Sequence, residues 1–432
     1  MKYLPINNHL FIDNRARFVS IMKEGSLAVF NSNDIMPTNA DGLMPFRQNN
    51  DLFYLSGIDQ EESIVVIFPA TKDEKHKEIL FLKETSDEIA IWEGAKLTKE
   101  GASKVSGIQT VYWLSEFEDV FKELMEETNT VYLNSNEHLR AKVVVETRDA
   151  RFTKWFEKTY PMHKIEKSAP LSEQLRAVKS ETEVELIRFA CNITARGFRR
   201  ILEFIKPGVM EYEIEAEILH EFLCNRSSGH AYSPIIASGF NACVLHYIDN
   251  NQKCEDGDVI LMDFGAEYAN YASDMTRSLP VNGKFTKRQR AVYEAVLSVM
   301  KSATQLLVPG TILKEYHVEV GLLMEKELVD LGLITMEDIK SQDEEMPAYK
   351  KYFMHGTSHF LGLDVHDVGD WEKPIEAGNV FTCEPGIYIR EENLGIRLEN
   401  EILVTEKGPI DLMGDIPIES DEIEALMSQV PA

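Results

Sequence analysis

An internal repeat constrains what this 432-residue chain can fold into more than any other feature does. The segments 256–265 and 377–386 share one pattern, a glycine followed by an apolar run and then by an acid six positions after the glycine. That acid is Asp263 in the first copy and Glu384 in the second. An apolar run of this length is typical of a buried strand, so each acid is expected where a strand ends.

The sequence around these segments repeats as well. A second acid, Asp274 or Glu399, lies nine residues before a later glycine in each copy. Apolar residues at helical spacing predict a helix over 187–205 that stops at a Pro-Gly pair, and the pattern recurs over 292–307, with a further helix after each. Repeats of this kind indicate pseudo-symmetric units, so four carboxylates are expected to meet where the two copies join.

The length of the chain indicates two domains rather than one core. The segment 166–170 is interpreted as a short linker, which gives an N-terminal domain over 1–169 and a C-terminal domain over 170–432. In the N-terminal part, apolar runs at 63–68 and 78–82 predict strands between helical stretches, an α/β arrangement.

Composition excludes several classes of function. The formal net charge of −27 argues against nucleic-acid partners. No stretch approaches the roughly 20 apolar residues of a membrane span, so no membrane association is expected. Five cysteines without a CxxC pair indicate a reduced, cytoplasmic setting. The acidic run 211–217 is interpreted as a solvated helix face.

The acids and histidines together predict a metal centre. Gathered carboxylates repel one another unless cations lie between them, and a pair of divalent ions about 3.5–4 Å apart meets that need. Each acid alone has a simpler explanation, such as a helix cap, a turn or an ion pair. Three of the eleven histidines, His355, His359 and His366, lie within twelve residues of each other, and His246 lies near the first repeat. One imidazole among carboxylates suits Mn²⁺, Fe²⁺, Co²⁺ or Zn²⁺.

These motifs resemble the pita-bread metallopeptidases, and among them the Xaa-Pro aminopeptidases. The likeness extends over nearly the whole chain, and its strongest parts are Arg-Ala-Val-Lys-Ser at 176–180, Asp-Phe-Gly-Ala-Glu-Tyr at 263–268, Ser-Asp-Met-Thr-Arg at 273–277, the histidine-rich 355–366, Glu-Pro-Gly at 384–386 and Gly-Ile-Arg-Leu-Glu at 395–399. The run 45–57 is similar to the first domain of that family.

The resemblance implies an α+β fold, with a C-terminal pita-bread domain built on the pseudo-two-fold repeat and an N-terminal α/β domain with a mixed sheet. It implies a dinuclear site, with Mn²⁺ first and Co²⁺ or Zn²⁺ as alternatives, and a homodimer or homotetramer. The implied metal ligands are Asp263, Asp274, His359, Glu384 and Glu399. The implied residues around the substrate are His246, His355 and His366, with Arg397 supporting the metal shell.

The implied reaction is release of the residue that precedes proline at a peptide N-terminus, with Glu384 as general base. Three alternatives stay open. Glu401 competes with Glu399 as a ligand, because the two share a strand face. The enzyme could be a dipeptidase for Xaa-Pro, or the chain a non-catalytic binding module. Trp92 matches a residue that reaches a neighbouring subunit's cleft in related oligomers, although a core or surface tryptophan fits equally well.

Overall fold

The computed structural model describes residues 2–343 and 346–428. The chain forms two compact units, one comprising Tyr3–Arg176 and the other beginning at Ala177. No helix within the described ranges combines the length and apolarity needed to cross a membrane.

The first unit is a six-stranded mixed sheet with helices. Its strand order is β4-β3-β2-β1-β5-β6, in which β1–β2 and β2–β3 are antiparallel and the other neighbours are parallel. The strands predicted at 63–68 and 78–82 are β2 and β3. The elements are α1 (His9–Ile21), β1 (Leu27–Asn31), α2 (Asn50–Ser56), β2 (Ile64–Ile67), β3 (Glu78–Leu82), α3 (Asp87–Glu93), α4 (Lys99–Ser106), β4 (Thr110–Trp113), α5 (Phe117–Met125), β5 (Thr130–Leu133), α6 (Arg148–Thr159), β6 (Lys164–Lys167) and α7 (Ala169–Ala177).

Aromatic side chains fill the core on one side of this sheet. Phe121 of α5 is fully buried, and its ring stacks on Phe117 with centroids 5.0 Å apart. Phe156 of α6 meets Phe121 edge to face at 6.2 Å. Offset and edge-to-face rings add to the stabilisation that their buried area already gives.

The prediction of a linker at 166–170 is wrong. Lys164–Lys167 is strand β6, which extends the sheet beside β5, and α7 begins at Ala169. Between them Ser168 is buried and donates to the Leu133 carbonyl at 3.2 Å, so this segment is part of a packed structure. Its charged residues lie on an edge strand, where polarity is common. The domain boundary at 169/170 stays a prediction, and α7 runs across it.

The second unit contains the repeat. Its elements are α8 (Glu181–Phe204), α9 (Glu211–Cys224), β7 (Ile235–Ser238), β8 (Val259–Asp263), β9 (Glu267–Tyr268), β10 (Tyr271–Ala272), β11 (Thr276–Pro280), α10 (Lys287–Leu306), α11 (Leu313–Asp330), α12 (Met336–Lys340), β12 (Val380–Cys383), β13 (Gly386–Ile389), β14 (Leu394–Arg397), β15 (Asn400–Leu403), β16 (Ile410–Asp411) and α13 (Ser420–Ser428).

The predicted repeat is visible as two matching sets of elements. The helix pairs α8–α9 and α10–α11 each pack together, and each precedes an antiparallel strand pair. In the first copy β8 pairs with β11, and in the second β12 pairs with β15. The two predicted long helices are confirmed as α8 and α10. A capping box begins α8, where Ser180 and Glu183 exchange side-chain and backbone hydrogen bonds.

We predict that Phe121→Ala lowers the free energy of unfolding by about 3–5 kcal/mol, because it leaves a cavity in an aromatic core. Urea unfolding followed by circular dichroism measures the loss. The matched control is Glu123→Ala on the exposed side of α5, which should change stability by less than about 0.5 kcal/mol. Equal effects of the two substitutions would contradict this view of the core.

Candidate metal centre

Strand ends position the four repeat acids. Asp263 is the last residue of β8, and its register partner on β11 is Thr276, so Asp274 stands just before that pairing begins. In the second copy Glu384 directly follows β12, and Glu399 directly precedes β15. The apolar interiors of these strands are buried, which brings the polar residues at their ends to one side of the core.

Three predicted ligands form a tight group. Asp274, His359 and Glu399 are all buried, and one potential ligand atom of each lies within 4.8 Å of the others. The Nε2 atom of His359 is 3.5 Å from Asp274 Oδ2 and 3.6 Å from Glu384 Oε1. The Nδ1 atom of the same ring donates to the Phe360 carbonyl at 2.9 Å, which leaves Nε2 to face the acids. A hydrogen bond from the far ring nitrogen to a carbonyl is the usual way in which a protein orients a metal-binding imidazole.

Asp263 is joined to this group by Tyr232, a residue that the sequence did not single out. The Tyr232 hydroxyl lies 2.5 Å from Asp263 Oδ1 and also contacts Asp274 Oδ1. Tyr232 stands shortly before β7, and Ile235 at the start of that strand pairs with Asp263. This pairing and the hydrogen bond from the Ala231 N–H to the Gly265 carbonyl at 2.8 Å fix the backbone on both sides of the tyrosine, and no sequence motif marks the contact.

The electrostatics of the group show why it would hold cations. Burial raises the pKa of the Asp274 carboxyl well above its ordinary value, and the charge of Asp263 raises it further. Burial and the charges of Asp274 and Asp263 likewise raise the pKa of Glu399. The carboxylates are therefore held close together at an energetic cost that a bound cation would offset. The donor set of oxygens with one imidazole nitrogen fits a divalent transition metal.

Arg397 supports two of the acids at once. Its Nη2 atom is 2.6 Å from Asp263 Oδ2, and its Nε donates to Thr276 Oγ1 at 3.0 Å. The Thr276 hydroxyl in turn donates to Glu399 Oε2 at 2.6 Å. Arg397 is buried, so these bonds form away from competing water.

Glu399 and Glu401 occupy different places. Glu399 lies in the group with Asp274 and His359, whereas Glu401 lies behind Asp274. One oxygen of Glu401 accepts the backbone N–H of Asp274 at 2.6 Å, and the other accepts from the Cys191 thiol at 3.1 Å. One Glu401 oxygen thereby holds the backbone at Asp274, and the other is engaged by the Cys191 thiol of α8.

His355 is held beside the group as a neutral ring. Burial, together with the charge of Arg397, lowers the pKa of the His355 imidazole to about 3. Its Nδ1 donates to the Gly356 carbonyl at 2.8 Å, and its Nε2 lies 2.7 Å from the Tyr388 hydroxyl. Because Arg397 donates to that hydroxyl at 2.9 Å, the tyrosine proton is directed to His355. The distance from His355 Nδ1 to Glu384 Oε2 is 3.8 Å.

The other two histidines are exposed. His366 lies edge to face against His359, with ring centroids 4.4 Å apart. His246 follows the short 3-10 turn Gly239–Cys243. The structure therefore brings His355 and His366 next to the group of acids and His359, and leaves His246 on an exposed loop.

Buried Glu211 organises that loop, contrary to the solvated face expected for 211–217. One Glu211 oxygen accepts the backbone N–H of Ser238 at 2.8 Å. The other accepts the Tyr247 hydroxyl at 2.7 Å and the backbone N–H of Gln252 at 2.9 Å. Glu211 is fully buried although Glu213 is exposed, because its position at the start of α9 turns it inward. A charge count along the helix could not distinguish the two.

We predict that Glu211→Gln loosens the loop 239–252. The amide NH₂ cannot accept the donors that one carboxylate oxygen now accepts, and an unsatisfied buried group costs about 1–3 kcal/mol. Backbone amides of 239–252 should then exchange with D₂O about 10-fold faster or more, as measured by mass spectrometry. Glu203→Gln on the exposed side of α8 is the control. Unchanged exchange in the Glu211 variant would contradict the assignment.

Comparison with known proteins places the chain in a family. Residues 185–406 match the model of metallopeptidase family M24, and residues 11–132 match the aminopeptidase P N-terminal domain. The Xaa-Pro aminopeptidase of Haemophilus influenzae is 35% identical over 430 residues, which cover 97% of each protein. That of Escherichia coli is 35% identical over 438 residues, 98% of each.

A solved structure extends the likeness to three dimensions. Zinc-substituted E. coli aminopeptidase P in complex with product has a TM-score of 0.88 and 33% identity, covering 99% of this chain and 100% of that one. The predicted fold class is thereby confirmed, both the N-terminal domain with its mixed sheet and the pita-bread C-terminal domain. Because the match covers both domains and the buried acids lie within the M24 region, this chain belongs to metallopeptidase family M24.

Proposed function

We propose that the chain is a metal-dependent Xaa-Pro aminopeptidase, which releases the N-terminal residue of a peptide that has proline in second place. The observation that carries the proposal is the buried group of Asp274, His359 and Glu399, with Asp263 and Glu384 beside it. The group occurs in a chain that is similar to named Xaa-Pro aminopeptidases over almost its whole length.

We assign two divalent ions to five residues. Asp263, Asp274 and Glu399 would serve as carboxylate ligands to the pair. His359 and Glu384 would bind one ion, as their 3.6 Å approach supports. Mn²⁺ is the proposed metal and Co²⁺ or Zn²⁺ the alternatives, since oxygen-rich sets with one imidazole accept all three. When bound, such a pair supplies Lewis acidity and lowers the pKa of an attacking water.

The protein groups then have separate tasks. Glu384 is the proposed general base, because a carboxylate at the edge of the group can take the proton of the attacking water. His246 and His366 would donate to the developing oxyanion or to the departing proline nitrogen. His355, neutral because of its low pKa, binds substrate without adding charge. Arg397 holds Asp263 and so fixes the acids before substrate arrives.

We also propose a homodimer or homotetramer. On α3 the adjacent side chains of Ile91 and Trp92 are 78% and 84% exposed, which leaves their apolar surface available to a partner. A second copy of the chain would cover them, and Trp92 could then stand at a neighbouring site. A cytoplasmic setting is proposed as well, supported by five unpaired cysteines, all within the described residues.

We predict that Asp274→Asn removes both metal and activity. The neutral amide lacks the negative charge with which the carboxylate would hold a cation, so metal content and kcat/KM for Ala-Pro-Ala should each fall by more than about 100-fold. Inductively coupled plasma mass spectrometry and alanine release measure the two. Asp330→Asn, at the exposed end of α11, is the control. A variant that retains full metal content and activity would overturn the ligand assignment, and a wild-type protein that binds no metal would favour a binding module.

Substrate length distinguishes the aminopeptidase from the dipeptidase. We expect the wild-type protein to release alanine from Ala-Pro-Ala at a rate at least comparable with that from Ala-Pro, and to leave Ala-Ala-Ala uncut. Chromatography of the products under initial-rate conditions separates the cases. Cleavage of Ala-Pro with an intact tripeptide would establish the dipeptidase instead.

A further inference from the structure

A large cavity adjoins the candidate metal centre within the second unit. Its volume is about 810 Å³, within the range of sites that hold small molecules and short peptide segments. It lies between the start of α11 and the segment 349–357. Most of the wall is apolar, with contributions from Ile312, Leu313, Val318, Phe353, Met354 and Trp371.

The cavity and the metal centre share a wall. His355 and Thr357 line the cavity. His355 Nδ1 is also 3.8 Å from Glu384 Oε2, and the Thr357 carbonyl accepts the backbone N–H of Glu384 at 2.8 Å. A group that enters the cavity therefore lies one side chain away from the acids. An extended peptide advances about 3.3–3.6 Å per residue. A peptide bound at the acids therefore needs few further residues to pass His355 and reach the cavity.

The polar part of the lining is cationic on balance. Lys314 and Lys350 line the cavity, and Glu372 is the acidic residue among its lining side chains. This excess stands out in a chain of net charge −27. An apolar wall with ammonium groups beside it is complementary to a ligand that joins an apolar side chain to a carboxylate.

We propose that this cavity receives the residue that follows proline in the substrate, with its apolar side chain against the wall and its terminal carboxylate near Lys314 and Lys350. The inference rests on the proposed aminopeptidase function and adds a preference to it. The favoured substrates are tripeptides that end in an apolar residue with a free carboxylate.

Three peptides test the preference in the metal-loaded wild-type protein. Ala-Pro-Phe should have a KM about 3-fold to 10-fold lower than both Ala-Pro-Phe-amide, which lacks the terminal charge, and Ala-Pro-Gly, which lacks the apolar group. The difference between acid and amide should shrink in 0.5 M NaCl, because salt screens exposed charges. An equal KM for acid and amide would overturn the proposal.

Substitution of the two lysines tests whether they cause the preference for a free carboxylate. In the double variant Lys314→Gln, Lys350→Gln the KM for Ala-Pro-Phe should rise until acid and amide no longer differ. Lys326→Gln, on the exposed side of α11 outside the cavity, should retain the wild-type preference. A double variant that keeps the preference would overturn the role of the cavity.

Different results would contradict the proposed function and the proposed role of the cavity. If the wild-type protein releases no alanine from any of the three peptides, the proposed function is wrong and this inference falls with it. If alanine is released but the peptides and variants do not differ in KM, the function stands and the cavity has no part in selecting the residue after proline.

Discussion

Electrostatic repulsion among buried carboxylates is the constraint on which the structure of the second unit depends. Asp263, Asp274, Glu384 and Glu399 come from four strand ends, and folding brings them together although burial alone disfavours their charged forms. The raised pKa values of Asp274 and Glu399 record that cost. Protons or cations between the acids relieve that cost, and a rigid frame holds the acids in place. The repeat contributes to the frame by delivering two acids from each half.

The frame consists of buried polar groups that each hold more than one partner. Tyr232 joins Asp263 to Asp274, and Glu401 holds the backbone of Asp274. Glu211 does the same for the loop that bears His246. Burying such a group costs free energy unless its hydrogen bonds are satisfied. Each of these groups therefore holds its hydrogen-bond partners in defined positions.

Much of this could be predicted from the sequence, because strands and helices leave periodic patterns. The repeat located the four acids at strand ends, and helical spacing located α8 and α10. The supporting residues left no such pattern. Tyr232 reaches the acids through long-range backbone pairing, and Glu211 is one of several glutamates in a run whose other members include exposed residues. The segment 166–170 was mistaken for a linker because an edge strand and the start of a helix can be as polar as a loop.

Arg397 couples two functions that are usually considered separately. It holds Asp263 directly and reaches His355 through the Tyr388 hydroxyl, so one guanidinium connects the metal-binding acids with the imidazole beside them. Groups that share a partner in this way respond jointly to perturbation. If the proposed function holds, a substitution that alters substrate recognition at His355 is therefore expected to alter metal affinity as well, because both depend on the position of Arg397.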